Sequence, residues 1–139
     1  MNTQTLTSPV VASLVSDHER VRTLPRHFGS HLLEAESTVF GWLRELSADH
    51  EGAYWHFYEL SNGGFYMAPD VSEPFRIEVM GNGYRGRMSA AAAGITACLF
   101  AYSHLSFRFR DGPFGDHYAW LLDFAADHAE ASAILGAVD

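Results

Sequence analysis

Tyr54-Trp55-His56-Phe57-Tyr58-Glu59-Leu60-Ser61-Asn62-Gly63-Gly64-Phe65-Tyr66-Met67-Ala68-Pro69 is the stretch on which the fold turns. Two runs dense in aromatic residues flank Ser61-Asn62-Gly63-Gly64, and an Asn-Gly pair supplies the positive φ values a hairpin turn requires. The reading is two antiparallel strands and a tight turn. Beyond it, Pro69, Asp70, Ser72 and Pro74 mark a loop. Phe75, Ile77 and Val79 then alternate with Arg76 and Glu78, the pattern of a strand with one buried face. Gly81-Asn82-Gly83 turns the chain into Tyr84-Arg85-Gly86-Arg87-Met88, so the sequence predicts an antiparallel meander of about four strands.

Helical patterns lie on both sides of this meander. Leu32, Leu33, Ala35, Val39, Phe40, Leu43 and Leu46 recur at helical spacing, which predicts a helix over 31–46, with Glu34 and Glu36 near its positive end. Ser89 is placed to cap a second helix running from Ala90 to Leu105. Two more are expected over 116–128 and 130–138, after a polar loop at 108–115. The expected fold class is therefore α+β, a single domain over residues 17–139 in which the meander packs with about four helices. Residues 1–16, rich in Thr and Ser, read as a flexible N-terminal arm.

Composition narrows the function. The chain has 139 residues and a formal net charge of −8, with 17 Asp and Glu against nine basic residues, all of them Arg. Phosphate contacts need a surplus of basic side chains, so no direct nucleic-acid binding is expected. The lone Cys98 forms no internal disulfide and no four-cysteine zinc site. No apolar run approaches 18 residues, and no Lys or Arg precedes Arg20, so neither a membrane span nor a signal peptide is expected. The expected location is cytoplasmic.

Several motifs suggest chemistry and then weaken on inspection. Gly81-Asn82-Gly83-Tyr84-Arg85-Gly86 matches G-x-G-x-x-G, but Gly86 falls in an extended run rather than on a helix, and no acidic residue follows at the required distance. A β-turn is the simpler reading. His27 and His31, four apart, would share a helical face able to hold a metal, yet Gly29 intervenes at the expected helix start. Asp49-His50 is a fragment of a catalytic pattern without a nameable nucleophile. The eight histidines leave a small histidine- or metal-dependent hydrolase as one alternative. The 17 carboxylates leave an acidic DNA mimic as another, although a phosphate ladder needs denser charge, about one per 1.7 Å.

The run Tyr54 to Pro69 closely resembles the signature of the plasmid antirestriction proteins of the ArdB/KlcA type. Three further matches occur in that family's order: Arg22-Thr23-Leu24-Pro25-Arg26-His27-Phe28-Gly29, then Gly81-Asn82-Gly83-Tyr84 with Met88-Ser89, then Ala92-Ala93-Gly94-Ile95. The resemblance spans roughly residues 17 to 139. It implies an inhibitor of type I restriction-modification systems that protects incoming plasmid or phage DNA, with no catalytic residue, cofactor or metal. The implied partner is the type I restriction-modification enzyme or an associated host protein.

Six residues are candidates for partner contact: Arg22, Arg26, Trp55, Tyr58, Glu59 and Asn82. Trp and Tyr dominate interface hot spots when exposed. Glu59 is a carboxylate in an aromatic strand, and is either paired with an Arg such as Arg26 or Arg87 or aimed at a partner.

Overall fold

A computed structural model describes residues 9–49 and 53–139. The Asn-Gly hairpin forms as expected, from β2 (Trp55–Leu60) and β3 (Phe65–Pro69), with Tyr58 opposite Tyr66. A short strand β1 (Ala12–Leu14) pairs with the other edge of β2, giving a three-stranded antiparallel sheet in the order β1-β2-β3. The latter part of the expected arm is thus tied into the sheet; residues 1–8 lie outside the described residues.

The four-strand meander is corrected to two sheets. β4 (Phe75–Glu78) and β5 (Arg85–Met88) pair only with each other, Phe75 opposite Met88. The reason lies at the outer edge of β3, where helix α3 (Ala90–Arg108) occupies the place of a fourth strand. The Tyr102 hydroxyl donates to the Phe65 carbonyl at 2.7 Å and the Cys98 thiol approaches the Met67 carbonyl at 3.7 Å. Edge carbonyls that would otherwise be unpaired are satisfied by helix side chains. Gly94 permits the approach, because a Cβ there would lie 2.5 Å from both the Ala68 Cβ and the Met67 carbonyl oxygen.

Around α3 stand α1 (Arg20–Phe28), α2 (Leu32–Leu46), α4 (Phe114–Ala126) and α5 (Ala131–Val138). The Ser89 side chain caps α3 as expected, accepting from the Ala92 amide at 3.1 Å. Its hydroxyl also donates to Glu130, which fastens α5 to the start of α3. Helix α1 went unread in the sequence because it holds Pro25, which removes a donor and disfavours a helix interior. Burial of Thr23, Leu24 and Phe28 sustains it. Gly29 ends it at φ +54° and starts a single 3-10 turn, Gly29–His31.

Among the described residues, α3 is the one helix long and apolar enough to cross a membrane, with 19 residues and an 18-residue stretch of mean hydropathy 1.3. This overturns the expectation that no apolar stretch reaches that length. The burial of Ile95, Leu99, Tyr102 and Leu105 in the shared core accounts for the composition without a membrane.

Each Asn-Gly turn is clasped by a helix that follows later in the chain. Asn62 Oδ1 accepts from the Gly64 amide and its Nδ2 donates to the Trp120 carbonyl, both at 3.0 Å. Asn82 repeats the device in the second hairpin, accepting from Tyr84 and donating to the Ala137 carbonyl, both at 2.9 Å. Gly63 and Gly83 adopt φ of 103° and 76°. Both turns are therefore locked in place, and the first of them forms one wall of the site.

A charged corner between helix α1 and helix α4

The C-terminal end of α1, the β2–β3 turn and the first turns of α4 converge on one corner. Glu59 points from β2 toward α1, where its two carboxylate oxygens are held separately. Arg26 donates to Oε2 at 2.6 Å and His27 Nε2 donates to Oε1 at 2.7 Å. Burial raises the Glu59 pKa, but the hydrogen bonds from Arg26 and His27 outweigh it and hold the carboxyl below its usual range. Arg26 was one of the two arginines expected to pair with Glu59; Arg87 is on β5, in the other sheet.

His27 lies between Phe65 and His117, with ring centroids at 5.2 and 5.0 Å. His117 comes from α4 and is only 2% exposed. Its Nδ1 is the one buried side-chain nitrogen or oxygen among the described residues that has no hydrogen-bond partner. Burial pushes its pKa down to about 4, reinforced by the nearby His27 and opposed by a backbone hydrogen bond with His27 and by Glu59. The ring is neutral at pH 7. Trp120 stands one turn further along α4, edge-on to His117 at 5.2 Å, and rests against the glycines of the hairpin turn. A cavity of about 320 Å³ opens here, lined by Arg26, Asp116, His117 and Trp120 among others.

The remaining candidates fall elsewhere. Trp55 is 6% exposed and packs on Phe40 at 4.9 Å, so it is a core residue, and its selection as a partner contact is corrected by its burial. Tyr58 is half-buried, stacked on Tyr66 at 4.6 Å. Arg22 is exposed and pairs with Glu19 at 3.6 Å. Asn82 is explained by its turn and its bond to α5. The corner joins only Arg26 and Glu59 of the six. Asp116, His117 and Trp120 were missed, because they come within reach of Glu59 through folding alone and carry no spacing signal.

The catalytic and metal patterns dissolve in the structure. His27 and His31 belong to different elements, and His31 packs on Phe109 at 4.4 Å. Among the described residues no three His, Cys, Asp or Glu side chains are placed to hold a metal. Asp49 is engaged by the Arg76 guanidinium at 3.0 Å and by its amide, fastening β4; His50 lies outside the described residues. Cys98 is fully buried, with its pKa pushed up to about 12 by that burial, and a thiol so placed is not a nucleophile. Among the described residues no hydroxyl or thiol hydrogen-bonds to His27 or His117. The geometry suits recognition: fixed charge, one buried ring nitrogen without a partner and an aromatic wall.

Comparison with known proteins gives a consistent picture. A profile of the antirestriction protein family matches residues 39–139. A protein of Escherichia coli called antirestriction protein KlcA is 49% identical over 144 residues, covering 100% of both chains. YfjX, an uncharacterized Escherichia coli protein, is 37% identical, over 90% of this chain and 85% of its own. Among solved structures, one of the KlcA and ArdB proteins aligns over 100% of both chains with a TM-score of 0.89 and 47% identity. Those proteins are described as having a novel fold and antirestriction activity against type I DNA restriction systems in vivo but not in vitro.

Proposed function

The chain belongs to the antirestriction protein family, and from that premise we propose that it inhibits type I restriction-modification systems in the cell and so protects incoming plasmid or phage DNA. The observation that carries this is the full-length match, at 47% identity and a TM-score of 0.89, to proteins with that activity in vivo. It acts in the cytoplasm as a protein-binding inhibitor and not as an enzyme. Its partner is the type I restriction-modification enzyme or a host protein associated with it. A host protein accords with the contrast between activity in vivo and none in vitro in those relatives.

DNA mimicry is disfavoured by how the acids are used. Four arginine–carboxylate pairs, Arg22–Glu19, Arg26–Glu59, Arg76–Asp49 and Arg85–Glu78, neutralise part of the negative surface. Such interruption breaks the unopposed charge that a phosphate ladder presents.

The test is the plating efficiency of unmodified phage on cells carrying a type I system, with and without this protein. A rise of several decades, absent with a type II system, supports the proposal. Unchanged plating with soluble protein present counts against it.

A further inference from the structure

We propose that the groove bounded by α2, α3 and the β4–β5 turn is a docking site for a basic amphipathic helix of a partner protein. This goes beyond the antirestriction reading and does not depend on it. Two cavities of about 430 and 250 Å³ make up the groove, and Trp42 and Glu45 line both. Trp42 of α2 stacks on Phe100 of α3 at 4.6 Å, and both rings are only half-buried. Met80, at the hairpin tip beside them, is 90% exposed. A single exposed apolar side chain is ordinary on a protein surface, but three around one depression mark a contact face.

Gly41 points independently to an occupant. It lies inside α2 and lines the larger cavity. Glycine in a helix interior costs up to about 1 kcal/mol relative to alanine, yet nothing in this fold requires it here. An added Cβ would meet only the end of the Arg44 side chain, at 3.9 Å. Bare backbone beside an open groove lets another chain come close. The walls also say what kind of chain fits. The backbone groups of α2 and α3 are used within their helices, and the Val79 amide and carbonyl are used by Tyr84 and Gly83 within the turn. No strand edge is offered, so the occupant must satisfy its own backbone, as a helix laid in a groove does.

Charge sets the composition of that helix. Glu45 and Glu78 line the groove and, among the described residues, no Lys or Arg lines either cavity. Glu45 forms no ion pair among the described residues, and Glu78 reaches Arg85 only at 3.8 Å, with both side chains exposed. The charge left over is negative. A complementary helix therefore carries Lys or Arg beside its apolar stripe, and an acidic one meets like charge at both glutamates. Met80 supplies an unbranched side chain that adapts its shape to the apolar residues it covers.

The experiment uses the purified full-length protein labelled with nitrogen-15 and follows the indole N–H signals of its three tryptophans by NMR. The probes are two blocked peptides, each about 15 residues long, with leucines at the same helical spacing and either Lys or Glu at the remaining positions. The expected result is a saturable shift of the Trp42 signal on addition of the Leu/Lys peptide, with Trp55 and Trp120 unmoved. Gly41→Gln fills the groove without changing the charge and suits a helix, so it should weaken binding at least tenfold while the melting temperature holds or rises. Met80→Ser, at a 90% exposed position that spares folding, should weaken it as well. Glu45→Gln combined with Glu78→Gln should weaken it about fivefold. Absence of a saturable Trp42 shift, or an equal response to the Leu/Glu peptide, would overturn the proposal. So would an unchanged midpoint in both Gly41→Gln and Met80→Ser, since the peptide would then be held only by the net charge of −8. Because no restriction assay enters this test, its failure leaves the antirestriction reading intact.

Discussion

Glu59 joins α1 to the sheet through two donors, and both ends of that link are measurable. Glu59→Gln removes the charge while keeping the shape, and is expected to cost about 1 kcal/mol, since the carboxylate is a third exposed and partly screened. Urea midpoints at pH 7 would show it. A carboxyl held below its usual range stabilises the fold above that range and loses the contribution as pH falls through its folded value. The difference between wild type and variant should therefore shrink below about pH 4. His117 acts at a higher pH. Its folded pKa is about 4, against about 6.5 unfolded, so the unfolded chain binds the extra proton in between. Stability contributed by the neutral ring is full above pH 6.5 and is lost as pH falls toward 4. Wild type should lose ~2 kcal/mol more than His117→Asn between pH 7 and pH 5, by denaturant unfolding at the two pH values. The Glu59–Arg26 pair was legible in the sequence, because a carboxylate among aromatic residues demands a partner. His117 was not, since the surroundings that shift it come from α1 and β2.

At the scale of the elements, close approach of α3 to β3 is the decisive contact. Gly94→Ala would place a Cβ 2.5 Å from the Met67 carbonyl oxygen, backbone that cannot swing aside. A cost of about 2–3 kcal/mol is expected, the upper part of the overpacking range. Gly41 is the internal control. It lies in α2, where an added Cβ meets only the end of Arg44 at 3.9 Å. Gly41→Ala should gain up to ~1 kcal/mol from helix propensity. Thermal melts of the two variants would move in opposite directions. The clasps are testable too: Asn62→Ala and Asn82→Ala each remove two hydrogen bonds and should each cost about 1–2 kcal/mol. The hairpin, the Ser89 cap and the amphipathic α2 were legible because each rests on local turn chemistry or periodicity. The division into two sheets was not. It depends on hydrogen bonds from Tyr102 and Cys98 to residues more than thirty positions away, and alternation along a strand says nothing of what lies beside it. Helix α1 escaped for the opposite reason, its local signal being spoiled by Pro25 while its packing overrides propensity.

Taken whole, the molecule is an acidic α+β protein whose family membership was legible in the Tyr54–Pro69 run before any geometry was known. Its surface chemistry separates two ways of opposing a restriction enzyme: an inhibitor that docks through a shaped corner tolerates loss of remote charge, whereas a DNA mimic does not. Glu45, Glu73, Asp123 and Asp127 are exposed, and none of them forms an ion pair among the described residues. Changing all four to the matching amides halves the formal net charge of −8 and leaves the Arg26–Glu59–His117 corner untouched. The decisive measurement is the plating efficiency of unmodified phage on cells with a type I system, compared between wild type and this fourfold variant at equal expression. The expected result is a rise of several decades over cells lacking the protein, the same for both. Protection that collapses with the lost charge, in a variant that still folds, would contradict inhibition by protein contact and favour mimicry of DNA.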